Sequence, residues 1–581
     1  MRLRLAIFLV IVLGLLAPVK PVFAGCTVRK ITELPITMRG LRPTIKASVN
    51  GVEGLFFVDT GAFFSFLSTA GAKKFGAPTR LVESDFRVYG VGGRVKVSRA
   101  TAHTFSIAGL DFRDVDFLVA DGFEDGIDGW VGGNLLAHAD VEYDLGNGVI
   151  RLFHPADDCK NVSMAYWAAN GAYSVLDIER VSANANAIRA KATVNGAPIL
   201  AVFDSGAPLS TLTMDAAKQA GVTPKTPGVE TDPAVGRQWI GPFASFKVGD
   251  EEVKNTRLRF GEINIAGSML VGADFFLSHR IFVSNSQRKL YFTYNGGPVF
   301  NLEGPHTPGQ TAAAPAAAPL PYTDAPTDAP GFERRGAAFQ ARRDFADAIA
   351  DLTKAMALDP ASEDYIVQRA AARVEDHQTA PAMADLDVAL KLKPDDMTAL
   401  LLRGKLKAAA KDLGGAKADL AAAAKLEDKD PSRRWDLIDA DLEAEVWDQA
   451  IDQLDLWVLA NPKDRKLAMA LNSRCWSRAR LGQNLGRALE DCDAALRKIP
   501  GEPAFLDSRA LVHLRRGEFD QGIADYQRVL STQPKNAWAL YGRGWARLKK
   551  GQKVAGDTDI RAAAMIEPKV MEQAKARGLA L

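Results

Sequence analysis

"LFFVDTGAFF", residues 55–64, decides the fold, because an apolar run that should fill a buried strand stops on a charge. Leu55-Phe56-Phe57-Val58 has the composition of a core strand. A carboxylate placed at its end is costly unless it has a partner or a task. Asp59 is followed by Thr60-Gly61-Ala62, small residues that permit a tight turn.

The partner is found by working outward. "KASVNG" at 46–51 recurs as "KATVNG" at 191–196, an offset of 145 residues. At that offset Asp59-Thr60-Gly61-Ala62 meets Asp204-Ser205-Gly206-Ala207, and "SFLS" meets "STLT". Further on, "WVGGNLLAHADVEYDL" from Trp130 pairs with "LVGADFFLSHRIFVSN" from Leu270 at an offset of 140. Each copy therefore carries an apolar strand entering Asp-Thr/Ser-Gly-Ala and, about 70 residues later, two apolar residues and a glycine, Gly132 or Gly272.

This duplicated pattern resembles the retroviral-type (retropepsin-like) and pepsin-like aspartic peptidases, over roughly Ile31 to Tyr294. The resemblance implies two β lobes that each supply one carboxylate, Asp59 and Asp204, to a shared catalytic dyad. Two carboxylates in hydrogen-bonding reach cannot both ionise, so they hold one proton between them and titrate as a unit, a case the aspartic proteases typify. One can then act as base towards a bound water while the other polarises the scissile carbonyl. The family implies that the hydroxyls of Thr60 and Ser205 bond across the lobe interface, with Gly61, Ala62, Gly206 and Ala207 supporting the loops. Where pepsins have a hydroxyl after the glycine, Ala62 and Ala207 offer none, so the pair is expected to titrate higher, with an optimum at weakly acidic to near-neutral pH. "FRVYGVGGRVKV" from Phe86 to Val97 is expected to form a flap, with Gly90, Gly92 and Gly93 at its tip and Tyr89 either folding over substrate or serving as an ordinary strand aromatic. "VGRQWIGPF" from Val235 is its candidate counterpart, putting Gln238 and Trp239 near the cleft. The sequence departs from the retroviral pattern at Gly133 and Ala273, where an Arg often follows the motif glycine.

Rival chemistries fail on spacing. A haloacid-type phosphatase needs a second Asp two residues on, where Gly61 and Gly206 stand; there is no His-Glu-x-x-His, and "GVGG" lacks the Lys-Ser/Thr of a phosphate loop. No metal or cofactor is implied. With 72 Lys+Arg against 70 Asp+Glu and no basic block interleaved with aromatics, nucleic acid is not an expected partner.

The N-terminus, with Arg2, Arg4, an apolar stretch from Leu5 to Ala17 and Val22-Phe23-Ala24 before Gly25-Cys26, reads as a secretory signal. Residues 1–24 would be removed, no membrane span would remain, and the product would be exported to a periplasmic or other extracytoplasmic compartment that tolerates disulfides. Cys26 is open to three readings, a lipid anchor, a free thiol, or a disulfide with Cys159 that fastens the first lobe's ends.

Residues 25–165 and 166–300 are read as the two lobes, and 301–330, rich in Pro and Ala, as a linker. Beyond it prolines at 360, 394, 462, 500, 534 and 568 mark steps of 34, twice 34 and 38 residues. Small residues keep the register, with Gly336, Ala348 and Ala355 standing where Gly404, Ala416 and Ala423 stand two periods later. A 34-residue helical period resembles tetratricopeptide repeats. About seven are expected over 331–581, with a peptide or protein partner on the concave face. In one of them Cys475 and Cys492 fall on facing positions of the two helices and are expected to form a disulfide. The chain is thus expected to be multidomain: an all-β bilobal acid-protease fold, then an all-α solenoid. Its expected function is that of an exported aspartic endopeptidase acting on peptides or proteins; the rival is a scaffold of the same fold that binds peptides and turns over little.

Overall fold

The computed structural model describes residues 28–83, 86–90, 93–121, 126–155, 159–160, 162–168, 173–179, 187–232, 238–300, 326–427, 433–462, 464 and 466–579. The signal-like segment, Cys26, Gly92 and most of the Pro/Ala linker lie outside the described residues. The chain divides into two compact units, residues 1–378 and 379–581.

Among the described residues, the first unit has three large sheets and one two-stranded hairpin. In the first lobe, strands Arg42–Val49 and Val52–Val58 form a hairpin through Asn50-Gly51, both at positive φ (51° and 78°), the backbone that an Asn-Gly turn supplies. Its counterpart in the second lobe joins Ile188–Val194 to Ala197–Phe203 through Asn195-Gly196, again at positive φ. Each hairpin extends into a wider sheet that closes back on its first strand, Arg42–Val49 pairing with Ser98–Ile107 and Ile188–Val194 with Gln238–Val248. Phe56, Phe105 and Phe117 fill the first core; Phe203, Phe246 and Phe260 fill the second.

The third sheet joins the lobes. Its six strands run in the order Val28–Pro35, Val149–Pro155, Asp140–Asp144, His279–Ser284, Lys289–Tyr294 and Ser174–Asp177, three from each copy. The seam is the antiparallel pairing of Tyr143 with Ile281. A charge cluster is set into it, with Glu142, Asp144 and Arg280 buried and Arg151 at its edge: Arg280 donates to Glu142 at 3.0 Å, Arg151 pairs with Glu142 and, at 3.1 Å, with Asp144, and the Arg280 guanidinium lies 4.9 Å from the Trp167 ring.

Helix Ala329–Ala341 starts on Asp328, whose side chain accepts from Gly331 N, with Pro330 in the first turn where its missing N–H costs nothing. Ala338 enters the β core, and Arg342 donates to the Gly296 carbonyl at 3.2 Å. Helices Phe345–Leu358 and Glu363–Glu375 complete this unit. The structure therefore packs the first helices of the repeat array with the β lobes.

The second unit is all helix among the described residues, from Thr379–Leu392 to Val570–Ala576. Successive antiparallel pairs repeat at the sequence period. Gly404 packs against Leu420, where a Cβ would stand 3.0 Å from its side chain, and a Cβ on Gly544 would stand 2.9 Å from the Gly556 carbonyl. Polar residues repeat too. Arg403, Arg509 and Arg543 each grip an Asp sixteen residues on (Asp419, Asp525 and Asp559) with both oxygens engaged, and Arg474 grips Asp491 seventeen on. The same Arg403, Arg474 and Arg509 also reach back to Asp387, Asp455 and Asp493 of the preceding pair. Planar guanidinium forks suit such two-sided bridging, so the ladder ties each pair internally and to its neighbour. The pair from Arg434 to Ala460 breaks the ladder, with Leu437 and Gln453 where the Arg and Asp would stand. Cys475 and Cys492 are joined by a disulfide between facing helices.

Candidate active site

Each triplet is delivered by the same local device. Strand Val52–Val58 runs parallel to the short strand Gly129–Val131, and Asp59 N donates to the Val131 carbonyl at 3.0 Å. In the second lobe Ala197–Phe203 runs beside Met269–Val271, and Asp204 N donates to the Val271 carbonyl at 2.9 Å. Gly132 and Gly272 stand next in line because nothing larger fits: a Cβ on Gly132 would meet the Phe64 carbonyl at 2.4 Å, and one on Gly272 the Ala207 carbonyl at 2.7 Å.

The two loops interlock across the lobes. Thr60 Oγ1 donates to the Phe203 carbonyl (2.8 Å) and accepts from Ser205 N (2.9 Å). Ser205 Oγ donates to the Val58 carbonyl (2.8 Å) and accepts from Thr60 N (3.2 Å). All four bonds are buried, where an unmade bond costs most.

Closure brings the carboxyls together. A Cβ on Gly61 would lie 2.3 Å from Asp204 Cγ, and a Cβ on Gly206 would lie 2.3 Å from Asp59 Cγ. Each glycine is therefore the floor beneath the other lobe's carboxylate. Ala62 N donates to Asp59 Oδ1 at 2.8 Å; Gly206 N and Ala207 N donate to Asp204 Oδ1 at 2.9 and 3.2 Å. Burial first, then the charge of Asp204, pushes Asp59 well above the ordinary carboxylate range. Burial raises Asp204 as well, while its hydrogen bond with Asp59 and the backbone N–H donors pull it back down. One carboxyl protonated and one ionised is the state this geometry favours.

Gly61→Ala and Gly206→Ala follow as a test of the floor. Either added methyl has only the opposite carboxyl to push against, so each variant is expected to lose at least about 100-fold in any dyad-dependent turnover, on the scale of a misplaced reacting group. Steady-state hydrolysis beside circular dichroism of the folded protein measures it.

A support that sequence reading missed lies under each motif glycine. Ser65 Oγ accepts from Gly132 N (3.0 Å) and donates to Asn134 (2.8 Å); Ser210 Oγ accepts from Gly272 N (2.9 Å) and donates to Asp274 (2.6 Å). Burial pushes Asp274 up to about 6 despite these bonds. The signal was present as the repeated Ser65/Ser210 and Asn134/Asp274 at the two copy offsets.

The flap candidate is an antiparallel hairpin, Val88–Gly90 with Gly93–Val95. Tyr89 on it is exposed, Gly93 has φ 110°, and Gly92 lies outside the described residues. Val88, Val95 and Val97 pack with Phe66, Leu118 and Trp130 of the first lobe. The second copy differs: Gln238 and Trp239 belong to the long strand Gln238–Val248 paired with Glu251–Gly261, and Trp239 stacks on Phe260 at 6.0 Å. Glu230–Thr231 pairs antiparallel with Trp239 and Ile240, and residues 233–237 between them lie outside the described residues. Phe63 and Phe64, next after Ala62, are part-exposed, and Phe64 meets Phe86 edge to face at 6.0 Å. Cys159 is buried and disulfide-bonded; its expected partner, Cys26, lies outside the described residues.

The family match agrees with this geometry. The family model described as "Aspartyl protease" matches twice, over residues 45–135 and 190–275. No curated protein sequence matches the chain. Solved structures similar to part of it include a tetratricopeptide repeat protein from Parabacteroides merdae (17% identity, 43% of this chain and 98% of that one, TM-score 0.35). Another is YrrB, described as a TPR protein with an unusual peptide-binding site (16% identity, 39% and 97%, TM-score 0.23). The APC/C hetero-tetramer Cut9-Hcn1 is a further one (15% identity, 38% and 43%, TM-score 0.29). On the doubled strand-triplet-glycine device and the 34-residue helix pairs, the chain carries a duplicated domain of the aspartyl protease family followed by tetratricopeptide-type helical repeats.

Proposed function

We propose that the protein is an aspartic endopeptidase whose Asp59/Asp204 dyad activates a water for attack on a peptide bond. The observation that carries this reading is the reciprocal seating of each carboxyl over the opposite triplet's glycine, because it brings two buried acids into one proton-sharing pair. The ionised member takes a proton from the attacking water as the protonated member donates to the carbonyl oxygen; the roles reverse as the amine leaves. Phe63, Phe64 and Tyr89 give the surroundings exposed apolar side chains, which favours cleavage beside large apolar residues. The signal-like N-terminus and the Cys475–Cys492 disulfide support export to an oxidising compartment. The helical repeats are the surface for a protein or peptide partner.

The test is hydrolysis of a mixed peptide library by the full chain across pH. The rate is expected to rise as the first dyad proton is lost and to fall as the second is lost. Because burial and the Asp204 charge push Asp59 upward, the falling limb is expected well above the ordinary carboxylate range. A maximum confined to strongly acid pH would contradict the pair's assignment, and absence of hydrolysis by folded protein at every pH would favour the peptide-binding scaffold.

A further inference from the structure

The first helices of the last three repeat pairs share one face, and residues 577–579 are folded onto it. Leu467–Leu481 contributes Trp476 and Arg480, Pro503–Arg515 contributes Asp507 and Arg515, and Ala537–Lys549 contributes Trp538 and Tyr541. The segment after helix Val570–Ala576 crosses these helices. The Arg577 guanidinium lies 3.9 Å from the Trp538 ring centre and 5.2 Å from that of Trp476. Arg515 Nη2 donates to the Arg577 carbonyl at 2.8 Å, Tyr541 Oη donates to the Leu579 carbonyl at 2.9 Å, and Leu579 is buried.

These contacts have the form of peptide recognition. Two side chains hold main-chain carbonyls, which any sequence offers, while a pair of indole faces holds one particular cation. Gly578 between them has φ 73°, and a Cβ there would come within 2.6 Å of Arg515 Nη2, so the position admits glycine best. Yet the occupancy is incomplete. Arg577 and Asp507 feel each other's charge but form no ion pair within 4.0 Å among the described residues, and the side-chain donor to the buried Asp507 carboxyl is the Trp538 indole rather than a cation. A buried carboxylate without a cation against it is a cost that a better-fitting ligand removes.

We propose that this face is a binding site for a partner peptide containing arginine followed by glycine and an apolar residue, with Arg577-Gly578-Leu579 as its built-in occupant. This deepens the reading of the repeats as a partner surface and is independent of the peptidase chemistry. The incoming guanidinium displaces that of Arg577 between Trp476 and Trp538 and pairs with Asp507. Arginine is required over lysine because the slot is lined by flat faces and backed by a carboxylate, which a planar fork matches and a compact ammonium does not.

The test titrates the full chain with a fluorescein-labelled peptide VMEQAKARGLAL, the sequence of residues 570–581, and with its version carrying Gln for Arg. Arg577→Ala, which empties the slot, is expected to bind the arginine peptide at least about tenfold tighter than wild type does, and the Gln peptide at least about tenfold more weakly than the arginine peptide. Adding Asp507→Asn is expected to abolish the preference. Circular dichroism and a thermal melt establish folding, and Arg577→Lys, which keeps the charge and loses the planar stack, serves if Arg577→Ala does not fold; it too is expected to bind the arginine peptide more tightly than wild type. Equal binding of the two peptides by the folded variant overturns the arginine site while leaving a general peptide surface. Binding of neither overturns the partner reading of this face as well.

Discussion

Asp59→Asn and Asp204→Asn are each expected to reduce peptide hydrolysis by roughly 10³–10⁴-fold, and the double variant to lose little more. Neither carboxyl has a spare role. One must be ionised to take the water's proton while the other is protonated, and an amide can do neither. Removing one member of a unit that acts together therefore costs about as much as removing both. Single-turnover hydrolysis of the best library peptide, with both single variants and the double, measures this. Losses that multiply in the double variant would mean that the two groups act separately.

The same substitution carries an opposite effect on stability. In the folded chain Asp59 is raised well above its unfolded value of about 3.9 by burial and by Asp204. A group with a raised folded pKa contributes its stability in full below the unfolded value and loses it as pH climbs through the folded value. The wild-type dyad therefore costs stability progressively as pH rises above the unfolded value towards the folded one. Asp59→Asn removes Asp59's share of that cost and leaves the share of Asp204, which burial also raises, so its melting temperature is expected to match or exceed wild type at neutral pH and to vary less with pH. A melting temperature lower at neutral pH than at pH 4 by the same margin as wild type would contradict the linkage.

Arg280→Ala is expected to be the most destabilising single change in the interlobe sheet, at about 3–5 kcal/mol. Arg280 belongs to the second copy and Glu142 to the first, and they meet at 3.0 Å in a cluster that also buries Asp144. Deletion leaves Arg151 to balance the charges of both Glu142 and Asp144, with only the neutral donors Asn147 and Tyr166 beside it among the described contacts, and empties the space over Trp167. Replacing Arg280 by Met and Glu142 by Leu together is expected to cost much less, since the burden of a buried pair falls on whichever charge is left behind. Denaturant midpoints for the single and double variants separate the two. Because the six-stranded sheet lies at the base of both lobes, a weakened seam is also expected to lower turnover before the cores unfold.

Much of the architecture was legible in the chain itself. The period of 34 residues marked helix pairs because small residues must recur wherever two helices approach closely, as Gly404 and Gly544 do. The internal repeat at 145 residues marked two lobes, and the dyad was legible because both copies keep the same strand, acid and glycine. Local chemistry was equally readable in the Asn50-Gly51 and Asn195-Gly196 turns, where positive φ selects the residues.

What the sequence could not supply was everything set by meeting at a distance. The glycine beneath each carboxyl belongs to the other copy, so its role appears only when the lobes close. Gln238 and Trp239 prove to start a long strand that pairs with both Glu230–Thr231 and Glu251–Gly261, a choice made by strand pairing that the shared spacing does not reveal. Arg280 and Glu142 are ordinary surface residues until the seam buries them, and Arg577 reads as a charge near the end of a helix until two tryptophans from separate repeats close on it. Periodicity and repetition are local properties that a chain carries with it. Burial, shared protons and the pairing of distant charges are properties of the packed state, where the low-dielectric interior decides which groups must find one another.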